Sequence, residues 1–388
     1  MSHTKDICII TLVLLAVSCA ENYKKNSVLL ETAEACDIRV NACVDETPIY
    51  SCTNSLAEEF CDMELIALEN NSENPMGEIL KMQVSDSGIF ILDNQQGGSI
   101  FHYANDGRFI SKIGEKGHSL PEYSAILNFS ANTAGDTIAI LDYNYVKFYN
   151  ATGTFLKVDA LKGTPQWQGF LITNKGYFLS TNNRGQKTIL ARYDNNFKSE
   201  APLIKGHVNL IRDIPSSWQN QIRKNGQSLC YYDYYTSSFY LFNIRNVSES
   251  KRYTLLSPNA LTESKAREAA GHNTYEYDHL ESFVYEDSTI WGIFKYGESL
   301  YDFKLDLQTD SCRLNHHIDM GYGFLCTHDG WYYCVFEPVQ LLQLIGLEKH
   351  RLPAIGRLLR NALKPYEEKM KETDNYYILK MRRKKGIV

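Results

Sequence analysis

The sequence predicts an all-β chain, a six-bladed β-propeller with short helical insertions, and three observations carry that prediction. The first is a pattern written twice. Gly88-Ile-Phe-Ile-Leu-Asp93 is followed by a strand ending in Tyr103, then Gly107 and Phe109; Asp136-Thr-Ile-Ala-Ile-Leu-Asp142 is followed by a strand ending in Tyr149, then Gly153 and Phe155. The second is spacing: the aromatic anchors Tyr103, Tyr149, Tyr193, Phe242 and Phe303 follow one another at 46, 44, 49 and 61 residues. A unit of that size cannot bury both faces of its own sheet and must stack on copies of itself. The third is composition, with 26 Tyr against 4 Trp. Tyr suits strand faces that pack on one side and meet water on the other. From residue 60 to 385, roughly 50 residues per unit give about six blades, within the usual four to eight.

The elements follow in order. Ile7 to Val17 is an apolar run broken only by Thr11, too short for a membrane span and of the length of a signal h-region. It ends in Ala16-Val17-Ser18-Cys19, small residues before a Cys, as in the lipobox of bacterial lipoproteins. Residues 1–19 are thus expected to be a lipoprotein signal peptide, with Cys19 acylated; the alternative is a plain secretory signal with an incidental Cys. Ala20 after the Cys resembles lipoproteins sent to the outer membrane. Residues 20–35, polar and rich in Glu, Asn and Lys, are expected to be a tether, and residues 36–388 the propeller. Strands are expected at Ile38 to Val40, Met63 to Leu68 and Gly77 to Val84. Helical insertions are expected near 258–271, ended by Gly271, and near 338–371, where Leu341, Leu342, Leu344, Ile345, Leu358, Leu359 and Leu363 supply an apolar side. A last strand, Tyr376 to Met381, is expected to share a blade with strands near residues 38–68, closing the ring.

Hydrophobic residues make up 44%, enough for a large core, and the net charge of -6 leaves no basic footprint for nucleic acid. Outside Cys8 and Cys19 there are eight Cys, and the intervals among Cys36, Cys43, Cys52 and Cys61 match no zinc arrangement. Cys326 and Cys334 flank a turn at His328-Asp329-Gly330 and are a possible disulfide, which a one-residue register slip would forbid. No metal, cofactor or catalytic residue is expected.

Two regions are candidates for ligand contact. Gly114 to Tyr123 would present Glu122 and Tyr123 at a blade junction, or would be a turn stiffened by Pro121 with Tyr123 packed between blades. The insertion 257–280 carries Tyr275, Tyr277, Asp278 and His279, an aromatic and polar mixture suited to peptide or glycan, or to loop anchoring. The repeated Leu-Asp ends, Asp93 and Asp142, would ring a channel or accept backbone N–H bonds in a turn. Lys380 to Lys385 is a basic end, read as a solvated tail or a contact to phospholipid.

Phe60 to Glu69, Asp106 to Gly114, and Gly117-His-Ser-Leu-Pro121-Glu122-Tyr123, in that order, resemble the six-bladed β-propeller lipoproteins of Gram-negative bacteria, relatives of NHL and TolB-type propellers. Gly117, Pro121, Glu122 and Tyr123 match that family's Gly-x-Gly-Pro-Gly-Glu-Tyr-like segment, without its intermediate glycine. Asp374-Asn375 before a strand matches its closing segment, with Tyr376 in place of Pro. The resemblance implies a lipid-anchored propeller and transfers no catalytic residue. The expected function is a binding or scaffold protein of the cell envelope, held to outer-membrane lipid through Cys19, with a protein, peptide or glycan partner. The alternatives are a lyase or hydrolase with its site at the channel mouth, and a structural subunit of an envelope complex.

Overall fold

The computed structural model describes residues 36–41, 43–44, 60–70, 75–94, 98–161, 167–181, 187–198, 200–205, 221–234, 236–247, 250–260, 277–316, 322–346, 360–371 and 374–384. Two strands precede the ring, β1 (Cys36–Asn41) and β2 (Cys43–Val44), followed by β3 (Phe60–Ala67). Blade 1 is β4 (Ile79–Ser85), β5 (Gly88–Asp93), β6 (Ser99–Tyr103) and β7 (Phe109–Lys112); blade 2 is β8 (Asn128–Ala131), β9 (Thr137–Asp142), β10 (Tyr145–Asn150) and β11 (Phe155–Ala160). Blade 3 is β12 (Gly169–Thr173), β13 (Gly176–Ser180), β14 (Thr188–Tyr193) and β15 (Glu200–Lys205); blade 4 is β16 (Ile222–Asn225), β17 (Ser228–Asp233), β18 (Ser238–Asn243) and β19 (Ser250–Leu256). Blade 5 is β20 (His279–Glu286), β21 (Thr289–Tyr296), β22 (Ser299–Asp306) and β23 (Ser311–His316). Blade 6 holds β24 (Tyr322–His328), β25 (Trp331–Phe336) and β26 (Tyr377–Arg383), with β3 as its fourth strand. The six sheets form a six-bladed β-propeller.

The first strand of each blade touches the first strands of both neighbouring blades, β24 against β4 included, so these six strands surround the axis. Burial follows distance from it. The second strands β5, β9, β13 and β17 are buried almost throughout, whereas the outer strands β7 and β11 are largely open. That is why the second strands read as unbroken apolar runs rather than as alternation: a strand covered on both faces has no wet side. The core is accordingly six interblade clusters rather than one. Phe90, Leu92 and Ile100 of blade 1 pack on Phe129, Ile138 and Ile140 of blade 2, and the other five junctions repeat the arrangement.

Tyr103, Tyr149 and Tyr193, the anchors of the repeated pattern, are fully buried in these clusters. The turns after the third strands β10, β14, β18 and β22 are tied by an Asx cap: Asn150, Asp194, Asn243 and Asp306 accept the N–H of the residue two places on. The cap places the fifth anchor at Leu305, immediately before Asp306, rather than at Phe303; the two lie on the same face of β22, which is why an aromatic there mimics the pattern.

Ring closure is antiparallel pairing of β26 with β3, Tyr377 opposite Ala67 and Lys380 opposite Glu64. The expected closing partnership is correct for β3 and wrong for the earlier strand. Ile38 to Val40 lies in β1, which adds in parallel to β19 on the rim of blade 4, and β2 adds in parallel to β23 on the rim of blade 5. β1 and β2 thus lie on the perimeter, and the antiparallel place beside β26 is taken by β3. Helix α1 (Pro338–Gly346) and helical residues 360–363 sit between β25 and β26, with Leu341 and Leu363 buried against blade 6 and the Tyr366 hydroxyl donating to the Leu65 carbonyl at 2.7 Å. The helix expected at 258–271 falls mainly outside the described residues, as do residues 1–35.

The Cys326–Cys334 disulfide does not form. Cys326 stands opposite Tyr333, so Cys334 is one residue out of register; Cys326 packs towards blade 1 and Cys334 towards blade 5, both as free buried thiols.

Candidate functional site

The two expected ligand regions are turned mainly to structural work. Tyr123 is buried between blades 1 and 2, its N–H and carbonyl bonded to Glu115 and Gly117 of its own loop, so it is not available to a ligand. The Tyr149 hydroxyl donates to the Pro121 carbonyl at 2.9 Å, and Lys147 Nζ donates to the Glu122 carbonyl. The Glu122 carboxylate folds back to accept the Ser119 N–H at 2.9 Å, which lowers its pKa, and lies where a side chain on Gly117 would stand. The Gly and Glu of this motif therefore explain each other. Asp278 is buried and accepts the N–H groups of Asn259 (3.2 Å) and Gly297 (2.8 Å). Tyr277 packs against the blade 4–5 core, and Tyr275 lies outside the described residues. His279 is partly exposed at the start of β20; its Nδ1 meets the Tyr277 carbonyl at 2.6 Å and its Nε2 meets Glu281 at 3.0 Å. Burial pulls the imidazole down, but the bonds to Glu281 and Tyr277 outweigh it and raise its pKa overall.

Asp93 and Asp142 are turn acceptors. Asp93 takes the Gly77 N–H at 2.6 Å, and Asp142 takes those of Ser124 (3.0 Å) and Ala125 (3.1 Å), each tying the second strand to the segment entering its own blade. Asp142 also lies 3.5 Å from Lys147. Among the described residues no group of three His, Cys, Asp or Glu side chains is placed to hold a metal ion.

The axis carries a different set. Polar side chains there stitch first strand to first strand. Gln83 of β4 bonds the β8 backbone twice, donating to the Ala131 carbonyl at 2.7 Å and accepting its N–H at 2.9 Å. Asn128 donates to the Gln168 carbonyl at 2.7 Å, and the Ser130 hydroxyl accepts the Ile172 N–H at 3.1 Å. Among these neutral stitches stand cations. Lys81, on β4, is buried; its ammonium donates to Asn128 Oδ1 and to the Phe129 carbonyl, both at 2.7 Å, and stands 5.1 Å from the Phe129 ring centre. Arg223, on β16, donates Nε to the Phe283 carbonyl at 2.7 Å and stacks 5.5 Å from that ring. Lys224 reaches Thr133 Oγ1 at 3.1 Å.

Burial, then the charge of Arg223, lowers the Lys81 pKa to about 7, with the Cys326 thiol opposing. Burial also pulls the Arg223 guanidinium down, without discharging it at neutral pH. Blades 1 and 4 are opposite members of a ring of six, so coupling between Lys81 and Arg223 runs across the axis. The same holds for Lys224 of blade 4 reaching Thr133 of blade 2.

Sequence reasoning missed these residues. The signal available was a lone Lys inside Ile79-Leu-Lys-Met-Gln-Val84 and the Arg-Lys pair inside the short strand Ile222–Asn225. A charge on the first strand of a propeller repeat has to face the axis or a blade junction. That reading required knowing which strand was first, and β16 follows a stretch where the period is weak.

The chain matches, over residues 41–382, a family model described as Domain of unknown function (DUF4934). The protein belongs to the DUF4934 family. A solved structure of a candidate exported protein from Bacteroides fragilis NCTC 9343 aligns with a TM-score of 0.63 at 14% identity, covering 90% of this chain and 99% of that one. A member of the DUF4221 family from Bacteroides vulgatus ATCC 8482 aligns with a TM-score of 0.50 at 8% identity, covering 84% and 99%. At these identities the likeness concerns the fold, and it extends the propeller over nearly the whole of both relatives. No functionally curated protein matches this DUF4934 chain.

Proposed function

We propose that this DUF4934 protein is an exported, lipid-anchored propeller of the cell envelope that acts by binding a ligand or partner, with its axis as the recognition site. The observation that supports the reading is that two cations, Lys81 and Arg223, stand on the first strands of blades 1 and 4, the strands that surround the axis. A rigid ring that carries charged groups from several blades around one axis is organised for recognition. Envelope placement is supported by the apolar run Ile7 to Val17 and by Ala16-Val17-Ser18-Cys19. It also draws on the description of the B. fragilis relative as a candidate exported protein. No helix among the described residues is long and apolar enough to cross a membrane, so attachment in this reading falls to Cys19. The lyase or hydrolase alternative requires carboxylates and His converging at one mouth; the described residues supply two separate pairs, His279 with Glu281 and His328 with Asp86.

Two measurements test the proposal. Mass spectrometry of the protein extracted from membranes should find Cys19 as an acylated N-terminus; an unmodified Cys19 overturns the anchor. Pull-downs from envelope extract and peptide and glycan arrays, run with the full chain in detergent, should give a ligand whose binding weakens in Arg223→Gln. Binding indifferent to Arg223, or turnover in place of binding, overturns the reading.

A further inference from the structure

We propose that a cavity at the closing joint of the ring binds an organic cation, an ammonium or guanidinium group on an aliphatic stem, with Asp374 and Glu337 as its counter-charges. This site is separate from the axial cations and does not depend on them.

The cavity, about 360 Å³, lies where three distant parts of the chain meet: Asn70 and Met76 on the way into blade 1, the start of α1, and residues 374–376 entering β26. It falls at the small end of ligand pockets, which span about 300–1,000 Å³. Its charge has one sign, since Asp374 and Glu337 line it and no Lys, Arg or His does. Asp374 is held by one oxygen: Oδ2 accepts the Lys371 N–H at 2.8 Å and the Tyr377 hydroxyl at 2.9 Å. Both donors are neutral, and among the described residues nothing bonds Oδ1 and no cation pairs with the carboxylate. An Asn there would accept the same two bonds, so holding the chain does not require the charge.

The cavity has little to offer an anion. Pro338, the first residue of α1, has no N–H, and those of Glu337, Gln340 and Leu341 are already bonded, which leaves Val339. The Asn375 amide is engaged too, donating to the Glu69 carbonyl at 3.2 Å and the Tyr103 hydroxyl at 3.4 Å, and accepting the Tyr376 N–H at 2.8 Å. The walls are apolar. Met76 and Tyr376 rest on the blade 6–1 core, and Val339 is 42% exposed. A bare metal ion gains nothing from such walls, whereas the methylenes of an alkyl stem cover them while the charged head meets the carboxylates.

The test is calorimetry and thermal melting of the full chain in non-ionic detergent at pH 7 and constant ionic strength. Butylamine and agmatine probe free organic cations; Nα-acetyl-lysine methylamide and its arginine counterpart probe peptide side chains, and the tighter pair identifies the source. Binding should be saturable and one-site. Butanol, equal in length and uncharged, should bind at least about 10-fold more weakly. Asp374→Asn and Glu337→Gln should each weaken butylamine by about 10- to 100-fold, the worth of a hydrogen bond to a charged group. Val339→Lys, at an exposed position, supplies a competing ammonium and should abolish binding. Glu298→Gln, exposed in the turn after β21, should match the wild type. The butanol comparison needs no variant and stands even if Asp374→Asn fails to fold.

Equal affinity for butanol and butylamine, unsaturable binding, or binding indifferent to Asp374→Asn and Val339→Lys would overturn the proposal. One-site calcium binding that excludes butylamine would overturn it as well, since the carboxylates would then serve a metal. Any of these results leaves the axial reading standing, and a ligand indifferent to Arg223→Gln removes that reading and leaves this site.

Discussion

Replacing Gly107 by Ala should destabilise the protein by more than its backbone conformation alone accounts for, because this glycine sits where the ring closes. Gly107 has φ +90, and an added Cβ would stand 2.1 Å from the Ala67 carbonyl oxygen and 2.9 Å from Ile66 Cγ2, both on β3. Its own carbonyl accepts the Glu69 N–H at 2.8 Å. The left-handed conformation costs an L-residue about 1–2 kcal/mol, and forcing a methyl group into occupied space adds about 1–3 kcal/mol. Gly297 and Gly330 supply the control, since they have φ +61 and +74 and nothing within 4 Å of an added Cβ. Gly297→Ala and Gly330→Ala should therefore show the conformational cost alone, and Gly107→Ala should exceed them by about 1–3 kcal/mol. Urea unfolding followed by far-UV circular dichroism measures the difference, and hydrogen exchange should show faster opening of β3. The third repeat tests the same logic from the other side. Phe197 occupies the corresponding place at φ +52, with its ring buried and stacked 4.2 Å from Tyr177. Phe197→Gly relieves about 1–2 kcal/mol of conformational cost but loses about 3–5 kcal/mol of packing, so it should destabilise. Equal losses at Gly107 and Gly297, or a stabilised Phe197→Gly, would refute the claim that these turns dock on the preceding blade.

Further outcomes follow from other sites. Lys81 has a folded pKa near 7 against an ordinary value near 10.5, so the unfolded chain binds the extra proton between those values, and stability rises with pH across that window by up to ~1.4 kcal/mol per unit. The groups facing it are Arg223 and the Cys326 thiol, neither titrating between pH 7 and 9, and Lys81→Met should lose the slope in urea melts at pH 7, 8 and 9. Asp142→Ala leaves the Ser124 and Ala125 N–H groups without their acceptor and the buried Lys147 without its counter-charge, and should cost about 3–5 kcal/mol; the double change with Lys147→Met should cost less than the sum. Alkylation under native, non-reducing conditions should label Cys61 and spare Cys230, Cys312, Cys326 and Cys334, whereas denaturation without reductant should expose Cys326 and Cys334 to full labelling. A mass consistent with a 326–334 bridge would refute the register.

The blades were legible where side chains do the same job twice. Leu-Asp at the end of β5 and β9, and Tyr at the end of β6 and β10, recur because each second strand needs a turn acceptor and each third strand an interblade anchor. The signal faded where another residue does that job. At blade 3 a Phe at positive φ replaces the Gly, and at blade 5 Leu305 replaces the aromatic. The rim strand β1 was legible as a strand but not in its partner, because a parallel addition at a sheet edge leaves no turn and no spacing to read. The axial cations were the least legible. A single Lys or Arg in a short strand carries no periodicity, and its place beside the axis shows only once the first strands are assembled in a ring.

In the proposed function that arrangement separates stability from recognition. The six interblade clusters and the β3–β26 joint hold the ring at its junctions and perimeter. The axis is knitted by Gln83, Asn128 and Ser130, each bonded to a neighbouring backbone without a charge. Buried cations do not improve such a structure, since desolvating an ion costs several kcal/mol and neutral acceptors return only part of it. A chain selected for stability alone would lose Lys81 to Gln or Met, at a position where the stitching would survive the exchange. Its presence in the strand that starts blade 1 is a standing cost to stability, and in the proposed function a bound partner would offset it.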